Sequence, residues 1–303
     1  MDTISTGITR QKIAVILTCF NRRQKTLACM DAVLAQTALD ETMLDFFITD
    51  DGSTDGTADA LRSRHDRIAL FTGTGALFWN GGMRLAWAAA MRVEYDFYLW
   101  LNDDTFLYPE SLQRLLDTAG VMGRCCGHAG IVVGSTHDGS GATSYGGELR
   151  RSWWRPLTLD RITPQAVAQP CDTFNGNCVL VSGAAANILG NLDPGFIHAM
   201  GDTDYGLRAR RAGIPMWVMP GYAGTCVNDQ GSTGGFGDPS LPLTLRLRKA
   251  MAPKGLPWQA WRRLCQRHAG LLWPIYWVWP YLKIVATSCY FSASQLIRRA
   301  RSI

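Results

Sequence analysis

Apolar runs that alternate with helix-like segments limit the fold of this chain more than any other feature. Each run is short and rich in β-branched or aromatic side chains, as expected of buried strands. The four runs are IAVILTC at 13–19, LDFFITD at 44–50, RIALFTG at 67–73 and DFYLWL at 96–101. Strands that alternate with helices at this spacing predict an α/β fold with a mostly parallel sheet flanked by helices.

Polar side chains follow three of the predicted strands at the point where each strand ends. They are residues 18–21, Asp50 with Asp51, and Asp103 with Asp104. Ligands bind at the carboxyl ends of the strands in sheets of this class, so we expect these residues on one rim. Turn formation and helix capping would explain the DDGSTDG segment by itself, but three polar clusters on one rim favour a binding site.

The adjacent carboxylates of Asp103 and Asp104 need a cationic partner. They follow the apolar segment 98–101, and two like charges at the end of a buried strand repel each other and are costly to desolvate. A divalent metal ion would stabilise both, and Mg²⁺ or Mn²⁺ favours such oxygen ligands. The sequence therefore predicts a metal site at the end of the fourth strand.

The rest of the main body is less regular. Residues 127–170 are rich in Gly, Ser and Trp, which predicts irregular or hairpin structure of the kind that often builds a substrate surface. An apolar strand is predicted after the FNGN turn, and Asp202 and Asp204 are expected just ahead of a helix. The helix dipole would account for one carboxylate there but not for two.

Four ordered segments carry a resemblance to a known family. They are TCFNR (18–22), DDGSTDGT (50–57), LNDDT (101–105) and GDTDYGLRARRAG (201–213). Over roughly residues 13–230 the chain resembles the inverting family 2 glycosyltransferases with the GT-A fold, of the bacterial surface-polysaccharide type. The resemblance implies a Rossmann-like nucleotide-diphospho-sugar transferase fold. It also implies transfer of a sugar from a nucleoside diphosphate, a UDP- or dTDP-sugar, to an acceptor hydroxyl.

The family motifs imply how this sequence binds the nucleotide and the metal ion. Nucleotide binding is expected at the strand ends and in the helix after the third strand, at Thr18, Phe20, Asn21, Asp50, Asp51, Arg84 and Asp103. The metal ligands implied by the resemblance are Asp104 and Asp103, and the cofactor is Mg²⁺ or Mn²⁺.

The resemblance also implies a catalytic base and contacts to the substrate. Asp202 is expected to be the general base, with Asp204 as a positioning or structural partner. The sequence departs from the family pattern at Gly201, where relatives usually carry Glu, and at Asn228 and Asp229, where many carry a His that can join the metal site. Contacts to the substrate are expected from Trp79, Asn175 and His198.

The C-terminal part of the chain differs in charge from the rest. From residue 241 onward it contains 11 Lys and Arg and no Asp or Glu, whereas residues 1–240 contain 19 basic and 25 acidic residues. Its uncharged, largely apolar run 269–282 is shorter than the ~20 residues that span a bilayer. Tryptophans beside basic residues favour the membrane interface. We therefore divide the chain into a GT-A domain, 1–240, and a helical membrane-associating extension, 241–303.

This extension bears on the acceptor. An enzyme held at the inner face of the plasma membrane could act on a polyprenyl-diphosphate-linked saccharide, as the resemblance implies. The alternative is that the basic helices pack on the acidic main domain or on another subunit. Nucleic acid is not an expected partner, because the sequence contains no recognised nucleic-acid-binding module.

Cysteine usage favours the cytoplasm. The nine cysteines are odd in number and form no Cys-x-x-Cys pair, which predicts reduced thiols without a zinc site. The N-terminal MDTISTGITRQK lacks the charged and apolar pattern of a signal peptide, so we expect no export.

Two other functions stay open at this point. A sugar nucleotidyltransferase would need a Gly-rich basic loop after the first strand, where this chain has TCFNRR. A non-catalytic nucleotide- or carbohydrate-binding scaffold would tolerate neutral substitutions in the acidic clusters. A dinucleotide-dependent oxidoreductase is disfavoured, since no Gly-x-Gly-x-x-Gly turn follows the first strand.

Overall fold

The first half of the chain follows the predicted alternation of strands and helices. A computed structural model describes residues 10–37, 42–227 and 235–301, with side chains as far as residue 294. The elements are β1 Gln11–Cys19, α1 Arg23–Leu34, β2 Thr42–Asp50, α2 Thr57–Arg62, β3 Ile68–Thr72, α3 Phe78–Ala90 and β4 Phe97–Asn102. The four strands predicted in this region are confirmed.

These strands form the parallel side of the central sheet. Their order is β3-β2-β1-β4, and each neighbouring pair is parallel. β1 lies between β2 and β4, and its residues 13–17 are at most 1% exposed. Burial on both faces explains the unbroken apolar run in the sequence. The register pairs Cys19 with Asp50 and Thr18 with Asn102, so three strands end at one rim.

The second half of the main body extends this sheet. Its elements are β5 Phe106–Leu107, α4 Ser111–Cys126, β6 Ile131–His137, β7 Thr143–Tyr145, β8 Gly147–Ser152, β9 Arg155–Arg161, β10 Gln169–Pro170, β11 Thr173–Phe174, β12 Cys178–Ser182, α5 Gly183–Leu189, α6 Gly201–Arg211 and β13 Met216–Thr225. β12 runs antiparallel between β4 and β6, and β13 is parallel to β6. β8, β9 and β11 form a small antiparallel sheet, which includes the predicted hairpin.

Helices cover both faces of the central sheet. Alternate residues of β1 point to opposite faces. Ile13, Val15 and Leu17 belong to one apolar cluster with residues of α1 and α4, whereas Ala14 and Ile16 belong to another with residues of α3, α5 and α6. The fold is therefore the layered α/β arrangement that the sequence predicts.

The second cluster anchors α6, the helix that carries Asp202, to the core. Trp100 of β4 lies 4.8 Å from Trp87 of α3 and 4.9 Å from Tyr205 of α6, measured between ring centroids. All three side chains are fully buried, and aromatic pairs at such distances stabilise beyond the area that they bury. Asp202 and Asp204 lie in the first turn of α6, not ahead of it as the sequence suggested.

The extension consists of α7 Leu243–Met251, α8 Trp258–His268 and α9 Trp273–Arg301, with a 3₁₀ turn before α9. Pro280 lies inside α9 and cannot donate the hydrogen bond that the carbonyl of Tyr276 would normally accept. The indole Nε1 of Trp261 donates to that carbonyl instead, at 3.1 Å. α8 and α9 therefore pack as a pair, and α9 continues through the proline.

No helix in the described part of the chain combines the length and the apolar character that crossing a bilayer requires.

Candidate active site

A cavity of about 420 Å³ opens at the rim where β1, β2 and β4 end. Several residues that the sequence singled out lie in its wall, namely Thr18, Phe20, Asp51, Trp79, Asp103, Asp104 and His198. The others lie outside the wall, namely Asn21, Asp50, Arg84, Asn175, Asp202 and Asp204. The strand ends thus meet at one cavity, as the rule for parallel sheets predicts.

Asn21 and Asp50 shape the loops beside the cavity. The Oδ1 atom of Asn21 accepts the N–H of Thr54 at 2.8 Å, and its own N–H donates to Ser53 Oγ at 2.8 Å. Asp50 is buried and accepts the N–H of Ser53 at 2.9 Å. These bonds lock the turn after β1 to the turn after β2, while Phe20 stays 48% exposed in the wall, where a planar ring could stack on it.

Asp51 faces the cavity and holds the loop before α3. Its Oδ1 accepts the N–H of Gly75 at 2.8 Å and its Oδ2 accepts the N–H of Phe78 at 3.0 Å. Both carboxylate oxygens are therefore engaged with backbone groups. Of the two carboxylates at the end of β2, Asp51 lies in the cavity wall and Asp50 does not.

One guanidinium nitrogen contacts both carboxylates at the end of β4. Nη1 of Arg22 lies 3.2 Å from Asp103 Oδ1 and 2.6 Å from Asp104 Oδ2. Burial and the negative charge of Asp104 raise the pKa of Asp103 to about 6, although the positive charge of Arg22 acts to lower it. The two carboxylate oxygens thus converge on one cationic position.

This convergence fits a divalent cation, because a cation at that position would meet two carboxylate oxygens, the ligands that Mg²⁺ and Mn²⁺ favour. Within the described ranges, no group of three or more His, Cys, Asp and Glu side chains is suited to a metal ion. Such a cation would complete its shell with water or a bound ligand. Asn228 and Asp229, named in the sequence analysis, lie outside the described residues.

Close packing in the WNGG segment fixes the rim. The indole Nε1 of Trp79 donates to Asn102 Oδ1 at 2.7 Å, which ties α3 to the end of β4. Gly82 leaves room for Thr18, since a Cβ atom at Gly82 would lie 2.1 Å from the Thr18 hydroxyl oxygen. The glycine therefore lets α3 approach the end of β1.

Asn80 explains why glycine occupies position 201. Asn80 is fully buried, and its Nδ2 donates to the carbonyls of Asp193 at 3.0 Å and Phe196 at 2.6 Å. A Cβ atom at Gly201 would lie 1.9 Å from Asn80 Oδ1. Asn80 thus fills the space that a glutamate side chain at this position would need.

Three non-glycine residues of the described chain have a left-handed φ, and all three adjoin the cavity or α6. They are Asn21 at 51°, Phe78 at 53° and Met200 at 73°. A positive φ is uncommon for a bulky residue such as Phe78. Backbone strain of this kind clusters at functional sites, so the positions agree with the cavity as the active site.

Asp202 lies beside the cavity and not in its wall. Its carboxylate accepts the N–H of Gly176 at 2.9 Å and the N–H of Thr203 at 2.8 Å. Gly176 packs against Trp79, which does line the cavity. Burial raises the pKa of Asp202 above its ordinary value, against the effect of these hydrogen bonds. A raised pKa suits a carboxylate that must accept a proton.

Glu148 on β8 is a second carboxyl group near Asp202. It is 8% exposed, and its Oε1 lies 3.5 Å from Asn175 Nδ2. Burial and the negative charge of Asp202 raise the pKa of Glu148 to about 7. Glu148, Asn175 and Asp202 thus form a polar group beside the cavity.

Asp204 is held in an ion-pair network. The side chain is fully buried, and its Oδ1 lies 2.6 Å from Arg267 Nη1 and 2.9 Å from His268 Nε2. Its Oδ2 lies 3.0 Å from Arg208 Nε. Burial alone would raise the pKa of Asp204, but His268, Arg267 and Arg208 together hold it below the ordinary value. Asp204 therefore joins the main body to α8.

Arg84 and Asn175 bond to neighbouring parts of the protein. Nε of Arg84 donates to the carbonyl of Leu192 at 2.8 Å. Oδ1 of Asn175 accepts the N–H of Gly146 at 3.4 Å. Arg84 thus supports the segment before α6 and is not brought to the cavity.

His198 lies in the cavity wall and carries no charge near neutral pH. Burial, with the charges of Lys254 and Arg22, lowers the pKa of His198 to about 4. Its Nδ1 can accept the N–H of Trp79 at 3.5 Å. A neutral imidazole at this position can exchange hydrogen bonds with a polar ligand.

Comparison with known proteins decides the family. The model described as Glycosyl transferase family 2 matches residues 14–174, just over half of the chain. The chain belongs to glycosyl transferase family 2. No curated protein sequence matches the chain significantly.

The solved structures agree with the GT-A fold of this family 2 glycosyltransferase. One similar structure is the mannosyltransferase PcManGT from Pyrobaculum calidifontis, in complex with GDP-Man and Mn²⁺. The TM-score is 0.55 at 16% sequence identity, and the match covers 97% of this chain and 80% of that chain. At this identity the likeness shows the fold, which confirms the predicted fold class.

The site of this family 2 glycosyltransferase also contains residues that sequence reasoning missed. Arg22 and Lys254 lie in the cavity wall, and Glu148 lies beside Asp202. Arg22 belongs to the TCFNR segment, so its place after the first strand was an available signal. No local pattern marks Lys254 or Glu148, because only the packing of distant segments brings them to the site.

Proposed function

We propose that this glycosyltransferase moves a sugar, with inversion, from a nucleoside diphosphate donor to a hydroxyl of a lipid-linked saccharide in polysaccharide assembly. The observation that carries the proposal is the convergence of Asp103 and Asp104 on one cationic position in the cavity wall. Mg²⁺ or Mn²⁺ held there would offset the charge of the leaving diphosphate. The complex of PcManGT with GDP-Man and Mn²⁺ supports this class of donor and cofactor.

The nucleoside binds at the ends of β1 and β2. Thr18, Phe20 and Asp51 lie in the cavity wall there, and the exposed ring of Phe20 offers a stacking surface. We expect a UDP- or dTDP-sugar, and the GDP-Man bound to PcManGT makes GDP-sugars the first alternative to test.

The acceptor binds on the side of Asp202. The acceptor oxygen forms a bond to the anomeric carbon, the bond from that carbon to the diphosphate breaks with its electron pair, and the acceptor proton passes to Asp202. The N–H groups of Gly176 and Thr203 orient the carboxylate for this transfer. A single displacement of this kind inverts the anomeric centre. Asn175 and His198 are proposed to contact the sugars.

The extension supports a lipid-linked acceptor, with attachment at the inner face of the plasma membrane. Ile275, Trp279 and Leu282 follow one another at helical spacing on α9 and are 61%, 61% and 56% exposed, and Leu271 before them is 98% exposed. Residues 241–303 contain 11 basic and no acidic residues. Each such cation near anionic headgroups adds about 1 kcal/mol to membrane binding. We therefore propose a polyprenyl-diphosphate-linked saccharide as the acceptor.

The activity test measures nucleoside diphosphate released from UDP-, dTDP- and GDP-sugars with Mn²⁺ or Mg²⁺. Wild type should turn over one nucleotide class, and Asp202→Asn should lose turnover at least ~100-fold while it still binds the donor. Asp66→Asn, an exposed carboxylate in the loop before β3, is the matched control. Full turnover by Asp202→Asn would refute the base assignment. Binding without any turnover would favour the scaffold, and pyrophosphate release from nucleoside triphosphates would favour a nucleotidyltransferase.

The membrane test is sedimentation with vesicles of anionic or neutral lipid. Wild type should bind anionic vesicles, less so at high salt. Trp279→Ser should weaken this binding, whereas Val167→Ser, a 65% exposed site on the main body, should not. Equal binding by wild type and Trp279→Ser would refute the proposed attachment surface.

A further inference from the structure

The extension contributes a charged side chain to the wall of the cavity. Lys254 lies in the loop between α7 and α8, and it lines the cavity together with Arg22, Asp103 and Asp104. Its charge also reaches His198, whose pKa is lowered by burial, by Lys254 and by Arg22. A residue of the extension thus lines the same cavity as the paired carboxylates.

The other charged groups of the wall already have partners. Arg22 contacts the carboxylates of Asp103 and Asp104, and both oxygens of Asp51 accept backbone N–H groups. Lys254 is exposed and makes no hydrogen bond or ion pair with any residue in the described ranges. An exposed ammonium group in a cavity wall, with no partner among the described residues, is suited to bind an anion.

Packing of the extension fixes the loop that carries Lys254. The N–H of Leu256 donates to the carbonyl of Ala250 at 2.7 Å, and the Tyr281 hydroxyl of α9 donates to the carbonyl of Leu256 at 2.7 Å. A Cβ atom at Gly255 would lie 2.6 Å from the carbonyl oxygen of Ala250. The loop therefore folds tightly back onto α7 and is held by α9.

Ion pairs fix the extension to the main body. Nη1 of Arg267 lies 2.6 Å from Asp204 Oδ1, and Nη2 lies 2.6 Å from Asp193 Oδ2. Asp193 also pairs with Arg263 at 3.1 Å. Because Asp204 belongs to the same helical turn as Asp202, the position of α8 and that of the candidate base are set by one network.

We propose that Lys254 binds the diphosphate of the donor, together with the cation held at Asp103 and Asp104. This inference rests on the proposed function, since it takes a nucleoside diphosphate sugar as the donor. A diphosphate carries more charge than one cation site offsets, and lysine binds phosphate as a compact point charge. The extension is then a part of the active site and not only an attachment to the membrane.

The test is calorimetric titration of the full-length protein with UDP, dTDP and GDP, and with the matching monophosphates, in the presence of Mn²⁺. Lys254→Met should weaken binding of the preferred diphosphate about tenfold, and binding of its monophosphate clearly less. Lys254→Arg keeps the charge and should retain most of the affinity. Lys283→Met removes an exposed lysine of α9 and should bind as wild type does.

The outcomes separate this inference from the proposed function. If wild type binds a diphosphate and Lys254→Met binds it equally well, the inference is wrong and the donor class stands. An equal loss for diphosphate and monophosphate would also overturn the inference, because the effect would then not depend on the second phosphate. If wild type binds no nucleoside diphosphate, the proposed function fails and the inference fails with it.

Discussion

Replacement of Glu148 by Gln changes how stability depends on pH. Glu148 is 8% exposed, and burial together with the charge of Asp202 raises its pKa from 4.5 to about 7, against the charge of Arg161 and the hydrogen bond from Asn175. Between these two values the folded protein binds more protons at this group than the unfolded chain does. Its contribution to stability is therefore complete below pH 4.5 and is lost as the pH rises to about 7.

The size of this effect follows from the two pKa values. An interval from 4.5 to about 7 corresponds to about 3 kcal/mol of unfolding free energy, at about 1.4 kcal/mol for each pKa unit. A glutamine has nearly the same shape, keeps an oxygen for the Asn175 side chain and does not ionise. Glu148→Gln should therefore match wild type at pH 4.5 and be more stable by up to about 3 kcal/mol at pH 8.

Urea unfolding followed by tryptophan fluorescence at several pH values between 4.5 and 8 measures the effect. Asp103, whose pKa is also raised, to about 6, contributes to the pH dependence of both proteins, so the informative quantity is the difference between variant and wild type. Glu110→Gln, at an exposed glutamate before α4, is the matched control and should show no such difference. If the unfolding free energies of wild type and Glu148→Gln changed with pH in the same way, the raised pKa of Glu148 would be refuted.

Three further substitutions test other parts of the site. Asp204→Asn should cost about 3 kcal/mol of unfolding free energy, because it leaves the partly buried guanidinium groups of Arg208 and Arg267 without their buried carboxylate. Asp160→Asn, in an exposed ion pair, should cost under ~1 kcal/mol in the same urea titration. Arg22→Met should bind Mn²⁺ alone more tightly, about fivefold in an electron paramagnetic resonance titration, because Arg22 competes for the two carboxylates; weaker binding would contradict this competition. Gly201→Ala should lower the unfolding free energy by about 1–3 kcal/mol, because the added Cβ atom clashes with Asn80. Asn80→Ala in the same chain should relieve part of that loss. If the losses of the two substitutions simply added, the clash would not be the cause.

The sequence predicts the parallel side of the fold well, for a physical reason. β1, β2 and β4 are buried in the sheet, so their segments are apolar and stand out between polar turns. β5 and β10 contain two residues each, too few to show any periodicity. The antiparallel insertion of β12 between β4 and β6 depends on pairing between distant segments and leaves no local pattern.

The sequence likewise predicts some residues of the candidate site and misses others. Asp103 and Asp104 follow from the rule that ligands bind at strand ends, and the structure places both in the cavity wall. The burial of Asp204 could not be predicted, because its partners Arg267 and His268 belong to the extension. The place of Lys254 in the cavity wall could not be predicted either, since charge composition does not show where a helix packs.

The most direct test of the central claim is calorimetric titration of nucleoside diphosphates into wild type and Asp104→Asn, with and without Mn²⁺. We predict that wild type binds one diphosphate in a metal-dependent manner, that Asp104→Asn loses at least about tenfold in affinity, and that the control Asp66→Asn does not. Equal affinity with and without Mn²⁺ in both wild type and Asp104→Asn would contradict the claim that donor and cation meet at Asp103 and Asp104.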